Sequence, residues 1–159
     1  MGTTKTAYGS FEVEKRYNHP AEKVFSWFSD KEKKKAWFVE QPKENIISYD
    51  MDFRVGGKES SRWKFSGGGP IPEGTVIGND TVYLDIVENK RIVIAYTMLL
   101  SDYRFSCSLL TFEFIEQEGS TLLKMTEQGA YFENSDDPEM RKEGWTVLLN
   151  CLFDKMNDG

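Results

Sequence analysis

The residues that could do chemistry in this chain are few. It has one histidine, His19, and two cysteines, Cys107 and Cys151. A zinc site needs three or four His, Cys or carboxylate ligands at set spacings, and a serine–histidine pair needs a histidine free to take a proton. His19 stands directly before Pro20, a place suited to a helix start, and the cysteines lie far apart in no ligand spacing. Asp50 and Asp52 share one face of an extended run. Carboxylates can exchange protons with a substrate, but a solvated strand edge explains this pair equally simply. Gly56-Gly57-Lys58 lacks the spacing and the following hydroxyl of a phosphate-binding loop and fits a hairpin turn. Asn79-Asp80-Thr81 has the form of a glycosylation sequon, which means nothing without secretion. No catalytic residue, metal or other cofactor is assigned. Cys107 and Cys151 read as small, buried apolar residues.

The elements that must position such residues follow from hydrophobic periodicity. Residues 1–9 are small and polar and read as a lead-in. Phe11, Val13, Lys15 and Tyr17 then alternate with charged residues as a strand does. Pro20, capped by Asn18 or His19 and followed by Glu22, opens a short helix carrying Val24, Phe25 and Phe28. Asp30 restarts a second helix, Lys31 to Trp37, whose lysines form a solvated face. From Ile46 onward the chain reads as about six strands joined by short turns, which makes an antiparallel meander. Gly129 to Asp137 is a loop. The chain closes with a helix over 137–156, with Pro138 in its first turn and Asp136 or Asp137 as cap. Trp145, Leu148, Leu149, Leu152 and Met156 make its apolar stripe, with Arg141, Lys142 and Glu143 on the opposite face. Gly144 interrupts this helix at a cost of about 1 kcal/mol against alanine, so the helix backbone there should approach either the sheet or a bound molecule.

Composition narrows the partners. The 159 residues carry a net charge of -6, the wrong sign for a nucleic-acid footprint or an acidic membrane surface. No run approaches the length of a membrane span, and no apolar N-terminal segment marks export. A reducing cytoplasm with free thiols is the expected location. One domain over residues 1–159 fits the length. Several strands are apolar on both faces: Leu84 and Ile86 oppose Tyr83 and Val87, and Phe105, Cys107 and Leu109 oppose Leu110, Phe112 and Phe114 around a bulge. A sheet covered on one side shows cleaner alternation. The excess is the pattern expected if the outer face is covered, a second copy in a homodimer being one candidate cover. Aromatic residues make up 14% of the chain, including four tryptophans, and either fill a core or line a pocket.

Five stretches carry a family resemblance. Asn18-His19-Pro20-Ala21-Glu22-Lys23-Val24-Phe25, followed by Trp37-Phe38, resembles the opening of the helix-grip (START-like, SRPBCC) superfamily, in the branch related to activators of the heat-shock protein 90 ATPase. Arg54-Val55-Gly56-Gly57 is similar to that branch's turn, and the stretch from Tyr83 to Val93 to its strand–turn–strand. Thr126-Glu127-Gln128-Gly129 resembles a signature of a bacterial subgroup, and Glu143-Gly144-Trp145 the start of the closing helix. Phe38 replaces the family's second tryptophan and Glu88 its proline after the turn, neither of which disturbs the fold.

The resemblance implies an α+β helix-grip fold: a curved antiparallel sheet of six or seven strands around a long C-terminal helix, with two short helices after the first strand. It also implies a hydrophobic cavity between sheet and helix. On that expectation the lid is Trp145, Leu148, Leu149 and Leu152, and the floor is drawn from Trp37, Phe38, Trp63, Phe65, Tyr96, Met98, Phe112 and Met125. Tyr96 is also a candidate polar contact. Arg54, at a hairpin end, would pair with a carboxylate or meet an anionic ligand, and Glu127 would lie at the cavity mouth. The partner expected first is a small hydrophobic molecule. A chaperone partner, as the branch name suggests, and a cyclase-type reaction are the alternatives.

Overall fold

The structure is a computed structural model that describes residues 4–39, 45–67, 69 and 71–158. Strand β1 (Ala7–Tyr17) is followed by helices α1 (Ala21–Ser29) and α2 (Lys31–Phe38). Strands β2 (Ile46–Met51), β3 (Lys58–Lys64), β4 (Val76–Val87), β5 (Arg91–Leu100), β6 (Tyr103–Gln117) and β7 (Ser120–Tyr131) come next, and helix α3 (Pro138–Asp158) closes the chain. The seven strands form one antiparallel sheet in the order β1-β7-β6-β5-β4-β3-β2. The sheet curves, and α3 lies in its concave side with α1 and α2. The expected α+β helix-grip architecture is the one observed.

Local chemistry explains most of the boundaries. Asp30 ends α1 and starts α2, its carboxylate accepting a hydrogen bond from the Lys33 amide at 3.1 Å. Asp137 caps α3 in the same way, accepting from the Met140 amide at 2.9 Å. The start of α1 differs from expectation. Neither Asn18 nor His19 caps it: Pro20 is the cap residue with no side-chain bond, and the Ala21 amide donates to Glu116 of β6 at 2.6 Å. The cap is therefore a tertiary contact from a residue 95 positions away. The β6–β7 turn carries Glu118 and Gly119 at φ of +54° and +80°, the left-handed pair that matches strand twist in a two-residue hairpin.

Two elements are longer than their sequence signal. Strand β1 begins at Ala7, inside the expected lead-in, because residues 7–10 pair with the end of β7. Strand β7 in turn runs to Tyr131, through Gly129 and Ala130. The bulge in β6 falls at Phe105, where the β5 register shifts between Met98 and Leu99, and the β6–β7 ladder is uninterrupted from Ser106 to Gln117. Ser106, Ser108, Leu110, Phe112 and Phe114 consequently face inward, while Cys107 and Leu109 face out and are exposed. This corrects the expectation that Cys107 is buried. Leu84, Leu109 and Ile115 remain open on the chain taken alone.

The core sits at the end of the concave face where Phe25 and Phe28 meet Phe112 and Phe114, and Trp37 meets Phe28, in edge and tilted contacts with ring centroids 5.0–5.3 Å apart. Leu149, Leu152 and Met156 of α3 seal it, and Tyr17 ties β1 to α3 by donating to the Leu149 carbonyl at 2.9 Å. The lysines of α2 do not all lie in solvent: Lys34 is buried, 3.0 Å from Glu59.

Candidate functional site

Toward the other end of the sheet the inward rows turn polar and the packing opens. Antiparallel register aligns Ser61 of β3, Asn79 of β4, Met98 of β5, Ser106 of β6 and Tyr131 of β7 across the strands. The next row toward the core holds Thr81, Tyr96 and Ser108. Over these rows lies the first half of α3. Between them is a cavity of about 280 Å³. Phe38, Val39, Trp63, Met98, Met140, Trp145 and Leu148 supply its apolar walls, and Asn45, Asn79, Tyr96, Asp136 and Arg141 its polar ones. Phe38 and Trp145 stack with centroids 5.8 Å apart and an interplanar angle of 29°.

Gly144 lies on this wall, and a methyl group added to it would meet nothing within 4 Å. The expectation that the sheet crowds the helix at this glycine is therefore corrected. What Gly144 leaves beside Trp145 is open space.

Arg141 also departs from expectation. It is four residues before Trp145, and in an α-helix that places both on one face. It is buried and lies inward with Trp145, Leu149 and Leu152. Its Nε donates to Asp136 Oδ2 at 2.7 Å, its Nη2 to Asp136 Oδ1 at 2.7 Å and Ser106 Oγ at 2.9 Å, and its Nη1 to the Tyr96 hydroxyl at 3.0 Å. Burial works against the guanidinium charge, but the hydrogen bonds and charge of Asp136, with Tyr96 and Glu127, outweigh it and hold Arg141 above its ordinary pKa.

Glu127 lies beneath the cavity floor, fully buried within β7. It accepts from the Tyr96 hydroxyl on one oxygen, and from Tyr131 at 3.0 Å and Ser108 at 3.3 Å on the other, with Arg141 at 3.6 Å. Gly129 makes this arrangement possible. A Cβ there would stand 2.8 Å from Ser108 Oγ and 2.9 Å from the Tyr131 ring, which turns back to reach Glu127. The Thr126-Glu127-Gln128-Gly129 signature thus has a packing explanation. Burial raises the Tyr96 phenol well above the usual range, Arg141 pulls against that rise and Glu127 adds to it.

The structure sorts the expected site residues into three groups. Phe38, Trp63, Tyr96, Met98, Trp145 and Leu148 line the cavity. Trp37, Phe112, Met125, Leu149 and Leu152 belong to the closed core and Phe65 lies outside the lining. Glu127 is behind the floor rather than at a mouth. Arg54 is exposed on the β2–β3 connection, paired with Asp52 at 2.8 Å, away from the cavity. Asn79, Asp136 and Arg141 were missed. The available signals were the i, i+4 spacing of Arg141 and Trp145, and polar residues at inward positions of apolar strands, such as Asn79 and Ser108. Among the described residues no three His, Cys, Asp or Glu side chains group as metal ligands do. No helix among them is long and apolar enough to cross a membrane.

A curved antiparallel sheet closed by a long C-terminal helix, with a cavity between the two, defines a helix-grip protein. The family model described as "Activator of Hsp90 ATPase homolog 1-like protein" matches residues 18–155, and the chain belongs to that family. Among solved structures, a protein from Rhizobium leguminosarum superposes with a TM-score of 0.90 at 28% identity, over 99% of this chain and 100% of its own. The Mll3558 protein from Rhizobium loti gives 0.83 at 34% identity, over 94% of this chain and 98% of its own. Protein CV1439 from Chromobacterium violaceum, at 21% identity and a TM-score of 0.70 over 91% of this chain and 94% of its own, shares the fold. No curated protein matches this chain.

Proposed function

We propose that this protein binds a small aromatic or otherwise apolar molecule in the cavity between the sheet and α3. The observation that carries the reading is the cavity itself: about 280 Å³ of space walled by Phe38, Trp63, Met98, Trp145 and Leu148, with Gly144 at its helix side. Large apolar side chains around a few fixed polar groups are the usual makeup of a small-molecule site, and this volume is at the small end of such sites.

The polar groups favour binding over turnover. A cyclase-type reaction needs a group that can pass a proton to or from the ligand. The Tyr96 hydroxyl donates to Glu127 and accepts from Arg141 and from the Trp145 indole at 3.3 Å, so all its hydrogen-bonding capacity is engaged within the protein. The family description raises a chaperone partner as the second reading. A pull-down with a heat-shock protein 90 homologue, run beside an ATPase assay, separates it from the first.

The test of ligand binding is a fluorescence titration. Trp63 and Trp145 both border the cavity, so a bound aromatic molecule should change tryptophan emission saturably. Trp145→Phe and Trp63→Phe should each reduce that change. A panel of hydrophobic fluorophores that gives no saturable response in the native protein would end this reading.

A further inference from the structure

Arg141 invites the assumption that the cavity takes a carboxylate, because a buried arginine is the usual anchor for one. The geometry argues against it. An arginine has five N–H donors in a fixed fork. Two are held by the Asp136 carboxylate, one by Ser106 and one by Tyr96, and the same Nη1 lies 3.6 Å from Glu127. Four of the five donors are therefore hydrogen-bonded within the protein, and the fifth is on the Nη1 that pairs with Glu127. Around it stand two carboxylates, Glu127 and Asp136, against one cation. A ligand anion would add a third negative group to this end of the cavity, where four Arg141 donors are already engaged and the fifth is on the Nη1 that pairs with Glu127.

Asn79 is in the opposite condition. It is 5% exposed and lines the cavity, and its Oδ1 accepts from Ser61 Oγ at 2.9 Å. Among the described residues its Nδ2 meets no acceptor. Among them, too, no fully enclosed side-chain nitrogen or oxygen lacks a partner, so this nitrogen keeps accessible surface, and the cavity is the space Asn79 borders. Ser61 is itself buried and holds the other end of the amide, which fixes the side chain's orientation. An amide N–H₂ held this way is a preorganised donor for one acceptor atom.

We propose that the cavity selects a neutral aromatic molecule bearing a hydrogen-bond-accepting oxygen, with Asn79 Nδ2 as the donor that recognises it, and that the Arg141–Asp136–Glu127 cluster discriminates against carboxylates. This rests on the binding reading above and names the chemical class of its ligand.

Four matched probes test it: 2-isopropylnaphthalene, methyl 2-naphthoate, 2-naphthoate and 2-naphthylmethylammonium. Kd is read from tryptophan quenching on the full chain. The ester should bind roughly fivefold more tightly than the isopropyl compound, the scale of one net hydrogen bond. The carboxylate should bind at least about tenfold more weakly than the ester. In Asn79→Leu the ester and the isopropyl compound should bind with equal affinity, and far-UV circular dichroism with a cooperative urea transition certifies that the variant folds. If Asn79→Leu does not fold, Asn79→Ser, too short to reach the same acceptor, replaces it with the same expectation. Carboxylate binding equal to or tighter than that of the ester overturns the proposal. So does tightest binding of the ammonium, which would mean that the excess carboxylate charge of Asp136 and Glu127, and not Asn79 Nδ2, selects the ligand. Equal affinity for the ester and the isopropyl compound overturns the ligand class and leaves the binding function standing. Binding of none of the four overturns both.

Discussion

Among the described residues two glutamates are buried, and they sit in different chemistry. Glu59 of β3 accepts from Tyr83 and from Tyr49 at 3.0 Å, and Lys34 of α2 meets both its oxygens at 3.0 and 3.1 Å. One cation faces one carboxylate, and the Phe38 ring covers the ammonium at 4.5 Å. Glu127 of β7 also accepts from two tyrosines, but its cation, Arg141, is 3.6 Å away and is held more closely by Asp136. The first cluster is charge-balanced and lines no part of the cavity. The second has two carboxylates to one guanidinium, and through Tyr96, Asp136 and Arg141 it forms part of the cavity wall. The same ingredients therefore serve two ends. A balanced pair fastens α2 to the sheet, whereas an unbalanced cluster lies beside a cavity, where on the proposed reading it sets the charge a ligand can carry.

The sharpest way to break this comparison is to remove each cation. Lys34→Met leaves Glu59 buried without its partner and should cost about 3–5 kcal/mol. Arg141→Met should cost less, about 1–3 kcal/mol, because Glu127 keeps three hydroxyl donors and Asp136 has access to water. Urea unfolding of both variants measures the difference, and equal costs would mean that the clusters are energetically alike. Adding Glu59→Gln to Lys34→Met should recover part of the loss, since the amide oxygen still accepts from a tyrosine and no charge is stranded.

Alkaline pH probes both clusters together. Burial raises the Tyr83, Tyr49 and Tyr96 phenols above their ordinary value, with Glu59 reinforcing the rise in the first two. Above the unfolded phenol pKa of about 10 the unfolded chain loses these protons while the folded chain keeps them, so stability falls as pH rises. The slope should reach about 1.4 kcal/mol per pH unit for each phenol that stays protonated, and none of this loss occurs below the unfolded pKa. Unfolding midpoints from about pH 9 to about pH 11.5, with phenolate absorbance followed in parallel, check it. Phenolate appearing before unfolding would show that water reaches these hydroxyls.

The glycines sharpen the contrast at a smaller scale. Gly129→Ala forces Ser108 or Tyr131 away from Glu127 and should destabilise by about 1–2 kcal/mol, measured by thermal or urea unfolding. Gly144→Ala adds a methyl group to open space in a helix and should stabilise by up to about 1 kcal/mol. Gly144 borders the cavity, so the affinity of the aromatic probes for this variant tests whether the glycine also serves binding. Unchanged affinity with unchanged stability would mean that the glycine is merely tolerated.

The order of elements was legible in the sequence because it depends on local signals. Period-two and period-3.6 patterns, Asp30 and Asp137 as caps, Pro138 in a first turn and short turns between strands are all written within a few residues of where they act. The apolar side of α3 was legible for the same reason. Six of the expected cavity residues do line the cavity, because large apolar side chains near one end of the sheet face the helix in either case.

What only the tertiary structure decided was polar and distant. The cap of α1 by Glu116, the burial of Lys34 against Glu59 and the meeting of Asn79 with Ser61 all join residues whose sequence surroundings look like exposed surface. Arg141 read as solvent-facing because a charged residue is assumed to seek water, and that assumption fails where Asp136 and Ser106 are in place to satisfy it. Hydrophobic periodicity states which face of an element is buried. It does not state which polar groups will find partners there, because that depends on strand register and on the side chains that register brings together from β3 to β7.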